Sequence, residues 1–198
     1  FDTVFFGVGV ERTEVQTYTG VTNYNDSPEV YKRYVDSINN VQNDASNPNS
    51  AFSQGVHNAS TTGLPLTAAW QRDNRDSALV PTRGRYQRAN FEFSPAGDAN
   101  YYRATYQHQY FKPLFTNVTL ALNGEINYGK GLGGKNYPIF KNFYGGGIGS
   151  VRGYESSSLG PKAGNGDPLG GSARIIMNAE LQLPFPGSGI DRLSLIHI

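Results

Sequence analysis

The sequence has no cysteine, one methionine, one tryptophan, and no apolar run longer than seven residues even when glycine counts as apolar. Without cysteine there are no disulfides and no thiolate metal sites. A membrane-spanning helix needs about 20 apolar residues, so that form of membrane crossing is excluded. An excess of charge is missing too. The 17 Lys and Arg against 16 Asp and Glu leave a formal charge of +1, and the basic residues are scattered. Such a balance provides no field to steer nucleic acid. No Gly-x-Ser-x-Gly elbow is present, acidic residues are dispersed, and His57, His108 and His197 have no metal-ligand spacing. No catalytic residue, metal or cofactor is expected, and the chain does not read as an enzyme.

What is abundant is glycine with aromatics: Gly 24, Tyr 13 and Phe 11. Mean hydropathy is −0.49. Low hydropathy is compatible with a membrane barrel, whose strands need only about 9–11 residues with every second one apolar. The chain begins at Phe1 with neither methionine nor a signal segment and stops at Ile198 without a turn, so it reads as an excised piece.

Alternation is clearest where Val118, Leu120, Leu122, Gly124, Ile126 and Tyr128 interleave with Asn117, Thr119, Ala121, Asn123, Glu125 and Asn127. The same period returns where Ala173, Ile175, Met177, Ala179, Leu181, Leu183 and Phe185 alternate with Ser172, Arg174, Ile176, Asn178, Glu180 and Gln182. Only Ile176 breaks the polar face. Strands are predicted at about 4–16, 64–75, 83–94, 101–111, 115–130 and 171–185, with long loops at 19–63 and 131–170. Short connections are expected at 94–98 and at Lys112-Pro113, and alternation of short with long connections suits an outer-membrane barrel. Six antiparallel strands cannot close a membrane barrel, because the smallest have about eight and an open edge in lipid leaves backbone groups unpaired. The predicted fold is therefore all-β, a partial antiparallel transmembrane barrel spanning 1–198.

In the first long loop, Ser27-Pro28-Glu29 predicts a helix N-cap with proline at the first helical position, followed by Val30, Tyr34, Ile38 and Val41 near helical spacing. The polar run Asn39 to Ser50 is then expected to be the mobile part of that loop. In the second, Gly129 to Asn136 nearly spells a phosphate-binding loop. Asn136 stands where the magnesium-holding hydroxyl is needed, and Pro138 stands where a helix must begin. The segment Phe143-Tyr-Gly-Gly-Gly-Ile-Gly-Ser-Val151-Arg152-Gly153-Tyr154 is more distinctive. Gly145, Gly146, Gly147 and Gly149 permit a tight fold, and Arg152 could tuck into a lumen beside a carboxylate. Composition alone favours a flexible surface loop.

Val151-Arg152-Gly153-Tyr154 resembles the Val-Arg-Gly-Phe/Tyr motif in the sixth extracellular loop of the BamA-type superfamily of outer-membrane assembly and secretion barrels. Gly131-Leu-Gly-Gly-Lys135, Asn142-Phe-Tyr-Gly-Gly146, Leu159-Gly-Pro161 and Leu169-Gly-Gly171 follow the same family order. More weakly, Leu79-Val-Pro81-Thr-Arg-Gly84 resembles the family's strand-start turn, and residues 27–60 resemble its helix-bearing fourth loop. The resemblance implies about strands seven to twelve of a sixteen-stranded barrel. It also implies that Arg152 pairs with a lumen-facing acid on the next strand, matched here by Glu180, and alternation independently puts Glu180 on the polar face. The periplasmic POTRA domains and the barrel's first and closing strands fall outside the match, and Leu193 to Ile198 does not continue the family pattern.

The implied function is insertion of other β-barrels into the outer membrane of a Gram-negative bacterium without covalent catalysis. Its implied partners are the lipid bilayer, unfolded outer-membrane protein clients, and the parent's periplasmic domains and accessory assembly lipoproteins, with no nucleic acid. A secretion transporter of the same superfamily, a porin or surface antigen, and a soluble all-β module are the alternatives.

Overall fold

The computed structural model describes residues 2–184 and 192–197. Its main sheet is antiparallel and seven-stranded, in the order β1 (Asp2–Val8), β4 (Leu66–Asp73), β5 (Gly84–Ser94), β6 (Tyr101–Phe115), β7 (Val118–Gly131), β8 (Ala173–Pro184) and β9 (Arg192–His197). β2 (Glu11–Thr19) and β3 (Gly55–Gly63) form a separate two-stranded ribbon that carries α1 (Glu29–Asn39). The first and last strands of the main sheet do not pair with each other, so the fold is a partial barrel wall.

The wall is built inside out relative to a water-soluble sheet. On β7 and β8 the apolar set is the exposed one, with Ile126 at 47% and Met177 at 72%, whereas Thr119 and Asn127 on the other face are at 2%. A barrel in lipid needs this inversion, because apolar side chains are solvated by acyl chains while polar ones face the lumen. Register carries the two faces across the wall: Tyr106 faces Ile126, which faces Ile175, on the outer side, and Gln107 faces Glu125, which faces Ile176, on the inner side. Ile176 is 7% exposed, between Arg174 and Asn178 on that inner face. Phe185, expected to end the apolar series, lies outside the described residues.

Three boundaries differ from the sequence expectation. The strand predicted at 4–16 is two strands, and the loop predicted at 19–63 contains the end of β2 and all of β3. Pro65 has no N–H to give to the ladder, and the pair breaks at Gly9-Val10 and Leu64-Pro65, where only Gly9 N donates to the Pro65 carbonyl at 3.0 Å. The register survives the break, since Val8 faces Leu66 below it and Glu11 faces Gly63 above it. Next, Lys112-Pro113 is not a turn. β6 continues to Phe115 through a bulge between Pro113 and Phe115, and the reversal falls at Thr116-Asn117 with Asn117 at φ 70. Asparagine tolerates that left-handed conformation better than most residues. Finally, connection 95–100 lies at the same end as the long connections 20–54 and 132–172, while 74–83 and 116–117 lie at the other end. One end is therefore bulky without strict alternation of loop length.

The first long loop holds a small core of its own. Val35, Ala51 and Ala59 are buried with Val15 and Ile38 packed on them, so α1 lies against the β2–β3 ribbon. The buried helix face runs through Tyr34 and Val35, and Val30, expected on it, is exposed. Ser27 is not the cap: Pro28 occupies that position, and the Ser27 hydroxyl accepts from Tyr18 N at 2.9 Å instead. Val41 lies past the helix, donating its N–H to the Asp36 carbonyl at 2.9 Å. The polar run Asn39 to Ser50 is tied down and not merely solvated. Asp44 and Asn47 accept from Ser46 N and Asn49 N, and buried Asp36 accepts from Ser50 Oγ and Ala51 N at 2.7 Å each.

Candidate functional site

The second long loop, 132–172, folds against the inner face of the wall. It starts with a turn in which a Cβ on Gly131 would come within 1.9 Å of the Lys135 carbonyl, so only glycine fits. Lys135, the lysine of the near phosphate-loop match, donates to the Gly97 and Asp98 carbonyls at 3.2 and 3.3 Å. It fastens the neighbouring connection. Tyr137 then lays its ring over Gly129, where a Cβ would sit 2.4 Å away, and meets Tyr101 edge-on at 6.0 Å. The small residue in the strand makes the seat for the large one in the loop.

A polar junction follows. Lys141 Nζ reaches Glu11 at the foot of β2 (2.7 Å) and Glu92 on the inner face of β5 (3.2 Å), with Tyr101 donating its hydroxyl to Glu92. One side chain thus joins the loop, the ribbon and the wall. Above it, Tyr34 of α1 meets Phe140 edge-on at 6.3 Å, and burial followed by the neighbouring Tyr144 pushes the Tyr31 hydroxyl up to about 12. The Arg103 guanidinium lies 4.6 Å from the Phe143 ring centre. Helix and loop therefore share a contact over the wall's inner face.

Beyond this junction the loop narrows into a finger. Phe143 and Gly171 exchange backbone bonds of 2.8 and 3.0 Å, Leu159 N donates to the Gly145 carbonyl, and Gly147 N donates to the Tyr154 carbonyl at 3.0 Å. A Cβ on Gly146 (φ +109) would lie 2.4 Å from the Glu155 carbonyl, and one on Gly147 (φ +92) would press on Ser156, whereas one on Gly149 would meet nothing within 4 Å. Two strand side chains on the inner face hold the finger. Arg174 pairs with Glu125 and donates to the Tyr144 carbonyl, and Asn178 Nδ2 donates to the Ser150 carbonyl at 2.9 Å.

The Val151-Arg152-Gly153-Tyr154 motif is a four-residue turn just past the tip. Tyr154 N donates back to the Val151 carbonyl at 3.4 Å, and Gly153 adopts φ 89 at the third position. A positive φ there demands glycine and leaves arginine at the exposed corner, which gives the residue order of the motif a physical reason. Glu180 is on the inner face of β8, two residues from Asn178. It lines one cavity of about 330 Å³ with Ile148 and Gly149 of the finger tip and Leu79 and Pro81 of the opposite connection. In the same cavity Arg75 is clamped by Asp73 (2.7 Å) and reaches Gln109 at 3.5 Å. The Ser150–Asn178 bond and this cavity bring the finger tip, which precedes the motif, to the same inner face that carries Glu180.

Lys141, Arg75 and the roles of Arg174 and Asn178 were not singled out by sequence. Arg174 and Asn178 did carry a signal, since both belong to the polar set of an alternating strand. Lys141 and Arg75 carry none locally, because each acts on residues of other elements.

An open antiparallel wall with an apolar outer face, and a glycine-rich loop bonded to its polar inner face, defines the barrel portion of an outer-membrane protein. The chain belongs to the Omp85 superfamily, whose domain it matches over residues 3–196. It is 38% identical over 194 residues to the outer membrane protein assembly factor BamA of Neisseria meningitidis serogroup B, covering 95% of this chain and 22% of that one. It is 34% identical over 128 residues to a SAM50-like protein of Schizosaccharomyces pombe, covering 61% of this chain and 26% of that one. The crystal structure of BamA from Haemophilus ducreyi lacking POTRA domains 1–3 superposes with a TM-score of 0.80 at 23% identity, over 98% of this chain and 37% of that one. That likeness shows the fold. The chain spans about a quarter or less of these curated relatives.

Proposed function

We propose that the chain is the loop-bearing part of the barrel of an outer-membrane β-barrel assembly factor, in the outer membrane of a Gram-negative bacterium. The supporting observation is the finger 143–154 bonded to the inner face of β8 through Asn178, in a chain that is 38% identical to a protein named as such a factor. The activity is insertion without covalent chemistry, in which the barrel offers a strand edge to an unfolded client and lowers the cost of exposing unpaired backbone to lipid. The partners are the bilayer, unfolded outer-membrane proteins, and the parent's periplasmic domains and accessory lipoproteins. The name of the BamA relative, an assembly factor, favours assembly over secretion.

Within this reading Arg152 pairs with Glu180 and keeps the finger seated, Gly153 supplies the turn, Val151 and Tyr154 flank it, and Gly145, Gly146, Gly147 and Gly149 allow passage along the wall. A polar lumen lowers the desolvation cost of the pair, while loss of one partner leaves a poorly satisfied charge. The test is Arg152→Glu, Glu180→Arg and the double exchange in the full-length parent, scored by outer-membrane protein levels in cells. Each single change lowers those levels and the exchange restores them. Unchanged levels in both single variants remove the pairing and its role in assembly.

A further inference from the structure

The outer face of the wall contains a notch. At Gly124, midway along β7, an added Cβ would meet no atom within 4 Å. Gly124 lies between His108 and Met177 in register, and the next outward row places Leu122 between Tyr110 and Ala179. These residues line a groove of about 500 Å³, with Gly124 and Ala179 as its floor. Its walls are almost wholly carbon, except that His108 Nε2 is buried without a hydrogen-bond partner among the described residues.

Two cations stand at the end of this groove nearest connection 116–117. Arg85 is directly across from Tyr110, and Lys112 is the next outward residue along β6. Both are exposed, and neither has an ion pair or side-chain hydrogen bond with another described residue. Arg72, also outward, differs in holding Asp2 at 3.7 Å. An apolar trough that runs into two uncommitted cations at the end of a lipid-facing strand has the layout of an anionic amphiphile.

We propose that this surface binds one anionic phospholipid from the leaflet on the short-connection side of the membrane. Arg85 and Lys112 take the phosphate and an acyl chain lies in the groove across Gly124. His108, two residues along the strand from Tyr110 and so about 7 Å deeper, lies beside the glycerol esters. The proposal requires only that the outer face meets lipid, and it is independent of what the finger does inside. Cations beside a membrane attract anionic lipid, and two of them give roughly a tenfold or greater preference over zwitterionic lipid.

Purified full-length parent is equilibrated with mixed micelles of phosphatidylglycerol and phosphatidylcholine, and retained lipid is counted by native mass spectrometry. The expected result is one retained phospholipid, with phosphatidylglycerol preferred roughly tenfold. Arg85→Gln with Lys112→Gln removes the preference but keeps the lipid, Gly124→Leu fills the groove and abolishes retention, and Arg72→Gln changes neither. A wild-type preference in the double glutamine variant overturns the proposal, as does wild-type retention in a folded Gly124→Leu protein. The glutamine pair is on the exposed surface and decides the matter even where Gly124→Leu fails to fold. Outer-membrane protein levels measured in the same strains report on assembly separately.

Discussion

Replacing Lys141 with methionine removes the cation that sits 2.7 Å from Glu11 and 3.2 Å from Glu92 while keeping most of the side chain's carbon. The two carboxylates then face each other with no counter-ion between them, and among the described residues Glu92 keeps only the Tyr101 hydroxyl. Breaking a fully buried pair costs about 3–5 kcal/mol, and an exposed one about 0–1 kcal/mol. Side-chain exposures of 15% for Lys141, 20% for Glu92 and 38% for Glu11 put this junction between those limits. A loss of about 1–3 kcal/mol follows, or roughly a fivefold to 150-fold larger population of the locally open state. Hydrogen exchange on the reconstituted full-length parent measures it. Amides of 137–145 and of the foot of β2 should lose protection together, because one side chain holds both, while the centre of β7 stays unchanged. Lys141→Arg, which restores the charge, should recover most of the protection. If 137–145 keeps wild-type protection in Lys141→Met, the junction does not hold the loop and the reasoning from its geometry is wrong.

Two further expectations concern the loops. Gly146→Ala combines a backbone clash at 2.4 Å with φ +109, so it should loosen the finger and raise proteolysis of 143–160, at a strain cost of about 1–3 kcal/mol, whereas Gly149→Ala should be silent. At the opposite end, the Thr82 hydroxyl and the backbone amides of Thr82 and Arg83 bond to Asp76 and hold its carboxyl at about 2, below an ordinary value of 3.8. A depressed folded pKa stabilises the turn above pH 3.8 and releases it as pH falls through about 2. Protection of the Thr82 and Arg83 amides should decline over that window, and Asp76→Asn should abolish the pH dependence.

Much of the wall was legible because a period of two is a local property. β7 and β8 announce both faces, and Arg174 and Asn178 of the polar set turn inward to hold the finger. The β3 half of the ribbon was not legible. Its residues Val56 to Thr62 contain few apolar side chains, and what they bury, such as Ala59 and Thr61, is buried beneath a helix and not presented to lipid. Lipid-facing alternation therefore stops where the ribbon leaves the main sheet, although pairing continues. Proline marks a break in the sequence at Lys112-Pro113, but a bulge accommodates it one step before the chain turns. Around the finger, the motif was visible as a string, but its fasteners were not. Arg174 and Glu125 are 49 residues apart, and no spacing rule links positions that meet only after the strands pair.

The unshifted register across Gly9 and Pro65 also has a mechanical meaning. Since the same pairing register holds on both sides of the break, the ribbon with α1 continues the line of the β1–β4 pair. Lys141, bonded to Glu11 at the foot of the ribbon and to Glu92 on the wall, ties the two together just above that break.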